Sequence, residues 1–357
     1  MRKIVMRTTL YALALSLLFT VPVLGQVKYS NEFLTIGAGA RIMGMGGAGT
    51  AFVDDYSSGY WNPSGMMNID GKLDVGLMHS EYFAGLAKYD FGGAAYRLDP
   101  NSVVGLSVVR FAVDDIPNTL ELIDADGNIR YDRISSFSSA DLGILASYAR
   151  KTKITGLTLG GTVKIIYRHT GDFAKAWGFG LDAAANYHIS GWNFSAVIRD
   201  VTGTFNAWSF DQDLLREAFE LTGNELPENS LEITLPRAIL AVSRNFTLSE
   251  KIKIVPAVDL HLTFDGRRHV LLPVGPVGID PFVGAEFRYN DWLFVRTGVG
   301  GFQWVPGLNG KDNLNLRPAL GLGVQYRSFY IDYAINGFSD ISLAGYSNLI
   351  SLRYLLK

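Results

Sequence analysis

Cysteine is absent from this chain of 357 residues. That removes disulfides and thiolate metal ligands, while leaving the redox compartment open. Charge is sparse too: Asp, Glu, Lys and Arg make up 18% and nearly cancel, leaving a formal net charge of -2. Nucleic-acid binders usually carry a basic patch, so near-neutrality argues against that partner class. The histidines (79, 169, 188, 261 and 269) are scattered at no ligand spacing. No serine lies in a nucleophile-elbow context. Carboxylate pairs such as Asp54-Asp55 and Asp114-Asp115 fall in loop-like segments, where solvation and capping are their usual roles. No catalytic residues, cofactor or resident metal are therefore expected. Long apolar runs are missing as well: past the N-terminus no segment approaches the ~20 residues of a helical membrane span.

The N-terminus has the three parts of a secretory signal. Arg2, Lys3 and Arg7 supply positive charge, Tyr11 to Val21 is almost wholly apolar, and Pro22 breaks the run. Val23-Leu24-Gly25 then offers a cleavage site before Gln26. Residues 1-25 read as a signal peptide, 26-71 as a plug segment and 72-357 as the body of the fold.

From Lys72 onward one theme recurs, runs of about ten residues with period two. In one, Leu157, Leu159, Gly161, Val163, Ile165 and Tyr167 oppose Thr158, Gly160, Thr162, Lys164, Ile166 and Arg168. Elsewhere Val283, Ala285, Phe287 and Tyr289 oppose Gly284, Glu286 and Arg288. Ile252, Ile254, Val258, Leu260 and Leu262 oppose Lys253, Asp259 and His261, and Phe329, Ile331 and Tyr333 oppose Tyr330 and Asp332. Successive strand residues face opposite sides. Each run therefore has an apolar face and a mixed face, as a lipid-exposed barrel wall requires.

The connections sort by length. Tight turns fall near Asp99–Asn101, Lys151–Thr152, Ser190, Ser249–Glu250, Asn290–Asp291 and Arg327. Longer ones span 114–136, 201–234, 264–278, 302–316 and 337–345, and the one around Phe83–Gly85 is a short exception on that side. Short periplasmic turns and long outer loops mark outer-membrane barrels, and tyrosines near run ends suit interfacial girdles. The fold expected is all-β: a transmembrane antiparallel β-barrel of about 14 strands, with an N-terminal glycine-rich plug and one short loop helix. A soluble propeller or double sandwich is the alternative.

The helix belongs to the insertion at 201-234. Ser209 can cap it, Asp211 and Asp213 load its first turn, and Leu214, Leu215, Ala218, Phe219 and Leu221 have helical spacing. Gly223 and Pro227 stop it. It reads as a helix folded over the barrel mouth or as a docking helix for a partner protein. Two motif matches fail. Gly44-x-Gly46-x-x-Gly49 fits a dinucleotide fingerprint, yet no strand precedes it and no βαβ unit follows. Asp124 to Asn128 lacks the spacing and distal Glu of an EF-hand, and Asp126-Gly127 more simply makes a hairpin turn.

The most informative stretch is 37–65, GAGARIMGMGGAGTAFVDDYSSGYWNPSG. Glycines permit positive φ and close backbone approach, so this segment can thread among lumen side chains. Arg41, Asp54 and Asp55 are expected to pair with lumen-facing groups such as Lys164, Arg168, Glu286 and Arg288, because buried charges need partners. Asp259 and Asp332 complete the expected lumen set. Asn62-Pro63 can turn the plug toward the first strand.

Gly39-Ala40-Arg41, Met43-Gly44, Gly46-Gly47-Ala48, Asp54-Asp55, Tyr60 and Asn62-Pro63-Ser64-Gly65 together resemble the N-terminal signature of the PorV/PorQ family of Bacteroidetes-type outer-membrane proteins. Those are relatives of the FadL long-chain fatty-acid transporters. The stretch around GLGVQYRSFYIDYAINGFSD is similar to the family's last hairpin, although the chain ends in Lys357 instead of an aromatic residue. The resemblance implies an outer-membrane barrel of fourteen strands. For the PorV branch it also implies type IX secretion, with the barrel binding the translocon and the C-terminal signals of exported proteins. The other reading is FadL-like passive transport of a hydrophobic ligand, and lumen charge tilts the balance toward secretion. Expected partners are outer-membrane lipid and a secretion-machinery or exported protein. N-terminal sequencing of the mature protein should begin at Gln26; an intact Met1 would overturn the signal assignment.

Overall fold

A computed structural model describes residues 30–357, apart from 83–84, 125, 267, 308–310 and 338–345. The signal expected at 1-25 lies outside the described residues, as do parts of the first and last outer connections. The wall is one antiparallel sheet of eighteen segments. Four of these (204–210, 230–234, 246–247 and 272–274) are continuations or loop pieces, which leaves a closed barrel of 14 strands. They are β1 (Leu73–Tyr82), β2 (Ala87–Asp99), β3 (Ser102–Asn118), β4 (Ser135–Lys151), β5 (Leu157–Thr170) and β6 (Ala174–Ile189). β7 runs Trp192–Arg199 and resumes at Thr204–Phe210; β8 runs Ser230–Thr234 and resumes at Arg237–Arg244. β9 (Ile252–Thr263), β10 (Val277–Tyr289), β11 (Leu293–Pro306), β12 (Asp312–Tyr326), β13 (Phe329–Asn336) and β14 (Ser347–Leu356) complete it. Closure is direct: Leu73 of β1 faces Leu356 of β14 on one side and Tyr96 of β2 on the other. No sheet edge is left without partners, the condition for a sheet in lipid.

The in–out alternation follows the period-two pattern. On β5, Leu159, Val163 and Ile165 are exposed while Thr162, Lys164 and Ile166 are buried. On β10, Val283 and Phe287 face out and Glu286 faces in. The tight turns use left-handed residues, with φ of 48° at Ser190, 49° at Asn290, 54° at Asp291 and 56° at Arg327. Asn and Asp tolerate that region best among non-glycine residues.

Two local readings need correction. The connection expected over 201–234 is in large part wall, because β7 and β8 resume beyond a break, and only Gln212–Thr222 is helix (α1). Its cap is Asp211, whose Oδ1 accepts from the N–H groups of Asp213 and Leu214 at 3.2 Å, and Ser209 lies in a strand. Gly223 ends α1 with φ 68°. The Asp126-Gly127 hairpin is present, with Ile123 bridged to Ile129.

The lumen is filled by residues 30–71, which carry one-turn helices at Ala40–Met43 and Ser58–Trp61. Backbone is packed on backbone where glycines meet glycines. A Cβ added to Gly298 of β11 would lie 2.0 Å from the Met45 carbonyl oxygen, and one on Gly284 of β10 would lie 2.4 Å from it. The plug turns there through Gly46, at φ 69°. A larger residue at Gly298 has no flexible neighbour to displace. Gly298→Leu should unseat the plug, raising single-channel conductance and exposing the plug to protease. Wild-type conductance in a correctly folded Gly298→Leu barrel would count against this packing.

A plug held by buried ion pairs beside a broken wall

The expected plug residues converge on one buried network at the short-turn end. Arg41 Nε donates to Glu286 Oε2 at 3.0 Å, and Arg41 Nη1 donates to Asp55 Oδ2 at 3.0 Å and also contacts Asp54. Glu286, with no exposed surface, also accepts from Arg288 Nε at 2.8 Å and from Arg296 Nε at 2.7 Å. Arg296 Nη1 continues to Asp332 Oδ1 at 2.6 Å. Arg353 holds Asp74 through Nε at 2.9 Å and reaches the Asp54 carbonyl at 3.5 Å. Burial works against the Arg41 charge, but Asp54, Glu286 and Asp55 outweigh it and hold its pKa well above the usual value. Burial would likewise raise Asp55, yet Arg41, Arg353 and the Ser57 hydrogen bonds bring it below 3.8.

Other expected residues take different partners. Lys164 and Arg168 do not meet the plug acids: Lys164 Nζ sits 2.6 Å from Asp182 and also contacts Asp200, while Arg168 Nε donates to Asp141 at 2.7 Å. They lie toward the other end of the lumen, where wall acids are closer than Asp54 or Asp55. Asp259 is buried and accepts from the backbone N–H groups of Gly49 at 3.2 Å and Thr50 at 3.0 Å. Asn62 ties the plug together, its amide donating to the Thr50 carbonyl at 2.8 Å and its oxygen accepting from Ser64 N–H at 3.1 Å. Pro63 follows, opening a short 3-10 turn. Tyr60 Oη donates to the Leu34 carbonyl at 2.9 Å. Gly44 lies against Gly321 of β12, Gly47 turns at φ 91° beside Phe282, and Met43 is buried in the same core.

Sequence reasoning missed Arg296, Arg353, Asp74 and Arg199. All four face inward on strands, and inward Arg or Asp in an otherwise apolar run was the available signal. Arg199 spans wall and plug, donating to the Leu34 carbonyl at 3.0 Å and the Tyr60 carbonyl at 3.1 Å.

The second feature is the wall break. Pairing of β7 with β8 stops at Arg199–Arg237 and resumes at Thr204–Thr234. Between them lie residues 200–203 on β7, with Asp200 at φ 57° and Gly203 at φ 73°, opposite Leu235 and Pro236 on β8. The alternation changes phase across the gap, since both Arg199 and Thr204 face the lumen. With four residues opposite two, both strands leave the alternation here, and the break removes ladder bonds from the wall. Pro236 has no N–H to restore one.

The start of the plug lies along this break. Asn31 Nδ2 donates to Thr234 Oγ1 at 2.8 Å, Asn206 Nδ2 donates to Asn31 Oδ1 at 3.0 Å, and Arg237 pairs with Glu32 at 2.7 Å. A cavity of about 20 Å³ lies at the junction, lined by Asn31, Leu34, Tyr60, Lys164, Asp200 and Arg237. That is room for about one water molecule.

No family model and no curated protein matches the sequence. Solved structures do match in fold. The Pseudomonas putida toluene transporter TodX gives a TM-score of 0.54 at 12% identity, over 89% of this chain and 96% of its own. The Ralstonia pickettii toluene transporter TbuX gives 0.52 at 13%, over 90% and 99%. A Pseudomonas aeruginosa FadL homologue gives 0.52 at 13%, over 90% and 98%. The architecture is that of FadL-type barrels.

The ion network sets a pH dependence. Asp55 has a depressed folded pKa, so its contribution is fully present above the ordinary value of 3.8 and is lost as pH falls through the folded value. Asp55→Asn should remove it at neutral pH, and Glu286→Gln should destabilise plug seating by about 3–5 kcal/mol, the cost of breaking a buried pair. Protease accessibility of the plug against pH reads both. A Glu286→Gln plug as protected as wild type at pH 7 would refute the network's role.

Proposed function

We propose that this barrel sits in a Gram-negative outer membrane and passes small hydrophobic molecules by diffusion, entering or leaving through the wall between β7 and β8. The observation that carries the reading is the break at 200–203, bordered on its lumen side by the first residues of the plug. Straight passage down the axis requires disrupting the Arg41–Glu286 network. Passage at the break needs only the segment Ser30–Thr35 to shift, which is held by hydrogen bonds to Thr234, Asn206 and Arg199 and by Glu32, placed between Arg237 and Arg268. Glu32 is 36% exposed where Glu286 is fully buried, and solvent screening weakens its pairs, so the leading segment is the weaker attachment.

The chemistry of the wall fits a nonpolar solute arriving from lipid. Phe179, Ile198, Phe205 and Ile233 are exposed on the outer face around the gap. Inside, Leu34, Tyr60 and Leu145 provide an apolar landing beside the buried Lys164–Asp182–Asp200 cluster. That cluster fixes the break, since Asp182 Oδ1 accepts from the Asp200 N–H at 2.8 Å. TodX and CymD, similar in fold, are described as a toluene transporter and a monoaromatic hydrocarbon channel. They support hydrophobic transport over the type IX secretion role implied by the PorV/PorQ resemblance.

A chain without cysteine makes the test clean. Asn31→Cys with Thr234→Cys places the only two thiols where side chains already touch at 2.8 Å. Oxidation should pin the leading segment and slow uptake of a nonpolar fluorophore into proteoliposomes, and reductant should restore it. Uptake indifferent to oxidation, with the disulfide verified by mass, would overturn the lateral route.

A further inference from the structure

The outer face is not uniform in height. On β5 the outward positions are apolar from Leu157 through Tyr167, and on β6 from Trp177 through Ile189. At a rise near 3.3 Å per residue and a tilt near 40°, ten residues cover about 25 Å, the full apolar band of such barrels. On β1 the outward series is Leu73, Val75 and Leu77, and then His79 and Glu81. On β3 it is Val104, Leu106 and Val108, and then Arg110. On β2, Lys88 and Asp90 precede Gly92 and Ala94. The apolar wall on β1 and β3 is therefore only about 10 Å tall by the same rise.

The polar residues that replace the missing band form one cluster. His79 Nδ1 lies 2.7 Å from Asp90 Oδ1, Arg110 Nη1 donates to Asp90 Oδ2 at 3.1 Å, and Lys88 Nζ donates to Asp114 at 2.9 Å. Glu81 lies 4.0 Å from His79. Asp90 and Asp114 are thus engaged and Glu81 is 59% exposed, while the rest of the Arg110 guanidinium has no protein partner among the described residues. The Arg110 and Lys88 side chains are 42% and 45% exposed. Beneath the cluster a trough of about 720 Å³ runs down the wall, floored by Gly92 and Ala94 and flanked by Leu77, Leu106, Val108 and Leu352. His79, Asp90 and Arg110 line its upper end, so cation and trough form one continuous surface.

We propose that this face binds a phosphoglycolipid of the lipid A type. One acyl chain fills the trough, and the phosphate rests on Arg110 and Lys88. Three observations select that occupant. The cluster stands on the long-loop side, which in an outer membrane faces the outer leaflet, where phosphoglycolipid resides. A guanidinium edge offers phosphate the donors it takes best. A wall this low leaves headgroups at a depth where elsewhere only acyl chains reach, so the bound lipid relieves the mismatch. The inference rests on the barrel's seat in an outer membrane, and not on what passes through it.

The test uses the full-length barrel, delipidated in detergent and titrated with monophosphoryl lipid A under native mass spectrometry. One adduct per barrel is expected. Arg110→Gln with Lys88→Gln should weaken it roughly tenfold or more, as loss of charged hydrogen bonds does. Ala94→Phe, which fills the trough without touching a charge, should weaken it comparably. Heat-modified gel migration checks that each variant is folded. Equal binding by wild type and both variants would overturn the proposal, and so would equal competition by inorganic phosphate, which would reduce the site to an anion contact. Preferential binding of phosphatidylglycerol, or photocrosslinking from position 94 to a protein in native membranes, would assign the face to another occupant and also overturn it.

Discussion

A single carboxylate, Glu286, fixes what the rest of the lumen can do. It has no exposed surface and accepts from three guanidiniums, one on the plug (Arg41) and two on the wall (Arg288 and Arg296). Removing the plug would withdraw Arg41, with its plug partners Asp54 and Asp55, and separate it from the buried Glu286. A buried charge that loses its partner is far costlier than the pair was worth. The plug therefore behaves as a seated wedge around Arg41, and its freedom is confined to segments outside that network. The glycine contacts reinforce this. Where Met45 presses its carbonyl on Gly284 and Gly298, small displacements meet backbone and not pliable side chains.

The leading segment is attached by different physics. Ser30 to Thr35 reaches the wall through Asn31, Thr234 and Asn206, through Arg199 on the Leu34 carbonyl, and through Glu32 between Arg237 and Arg268. Neutral hydrogen bonds contribute about 0.5–1.5 kcal/mol each, and Glu32, 36% exposed, is screened by solvent where Glu286 is not. The plug is thus anchored at one end and loosely hemmed at the other. The loose end lies where the ladder is already missing between residues 200–203 and 235–236. Opening there sacrifices no strand pairing, whereas anywhere else in the wall it breaks hydrogen bonds that lipid cannot replace.

Most of the wall was legible because lipid enforces period two. Leu159, Val163 and Ile165 on β5, and Val283 and Phe287 on β10, could be assigned outward from alternation alone. The turns at Ser190, Asn290 and Asp291 were legible because few residues tolerate their backbone. What resisted was the break in β7 and β8. Arg199 and Thr204, and likewise Thr234 and Arg237, stand an odd number of residues apart, so 204–210 and 230–234 no longer continue the phase of their own strands and read as loop. Charge pairing resisted for another reason. Sequence shows that Lys164 and Glu286 both face the lumen, but not their height or azimuth. Lys164 met Asp182 and Asp200 near the break, while Arg41 met Glu286 far from it. The lumen arginines 199, 296 and 353 escaped notice because each is a lone inward residue in an apolar run.

The two irregularities of the wall lie on nearly opposite sides of the barrel. The low face centres on β1 and β2, and the break lies between β7 and β8, half a circuit away in a ring of 14 strands. A bilayer held thin against the low face must recover its thickness around the circumference. The tall faces of β5 and β6, with Trp177, Phe179 and Ile189 exposed, offer a full-height surface beside the break. Undistorted acyl chains can therefore reach the gap at Asp200 and Gly203, which headgroups would otherwise crowd. A nonpolar solute concentrates among those chains and not among headgroups. On the proposed reading the low face takes up the polar and ordered part of the membrane and the opposite wall meets its fluid hydrocarbon, so the asymmetry of charge on the outside and the loose end of the plug on the inside favour the same side for the proposed lateral entry.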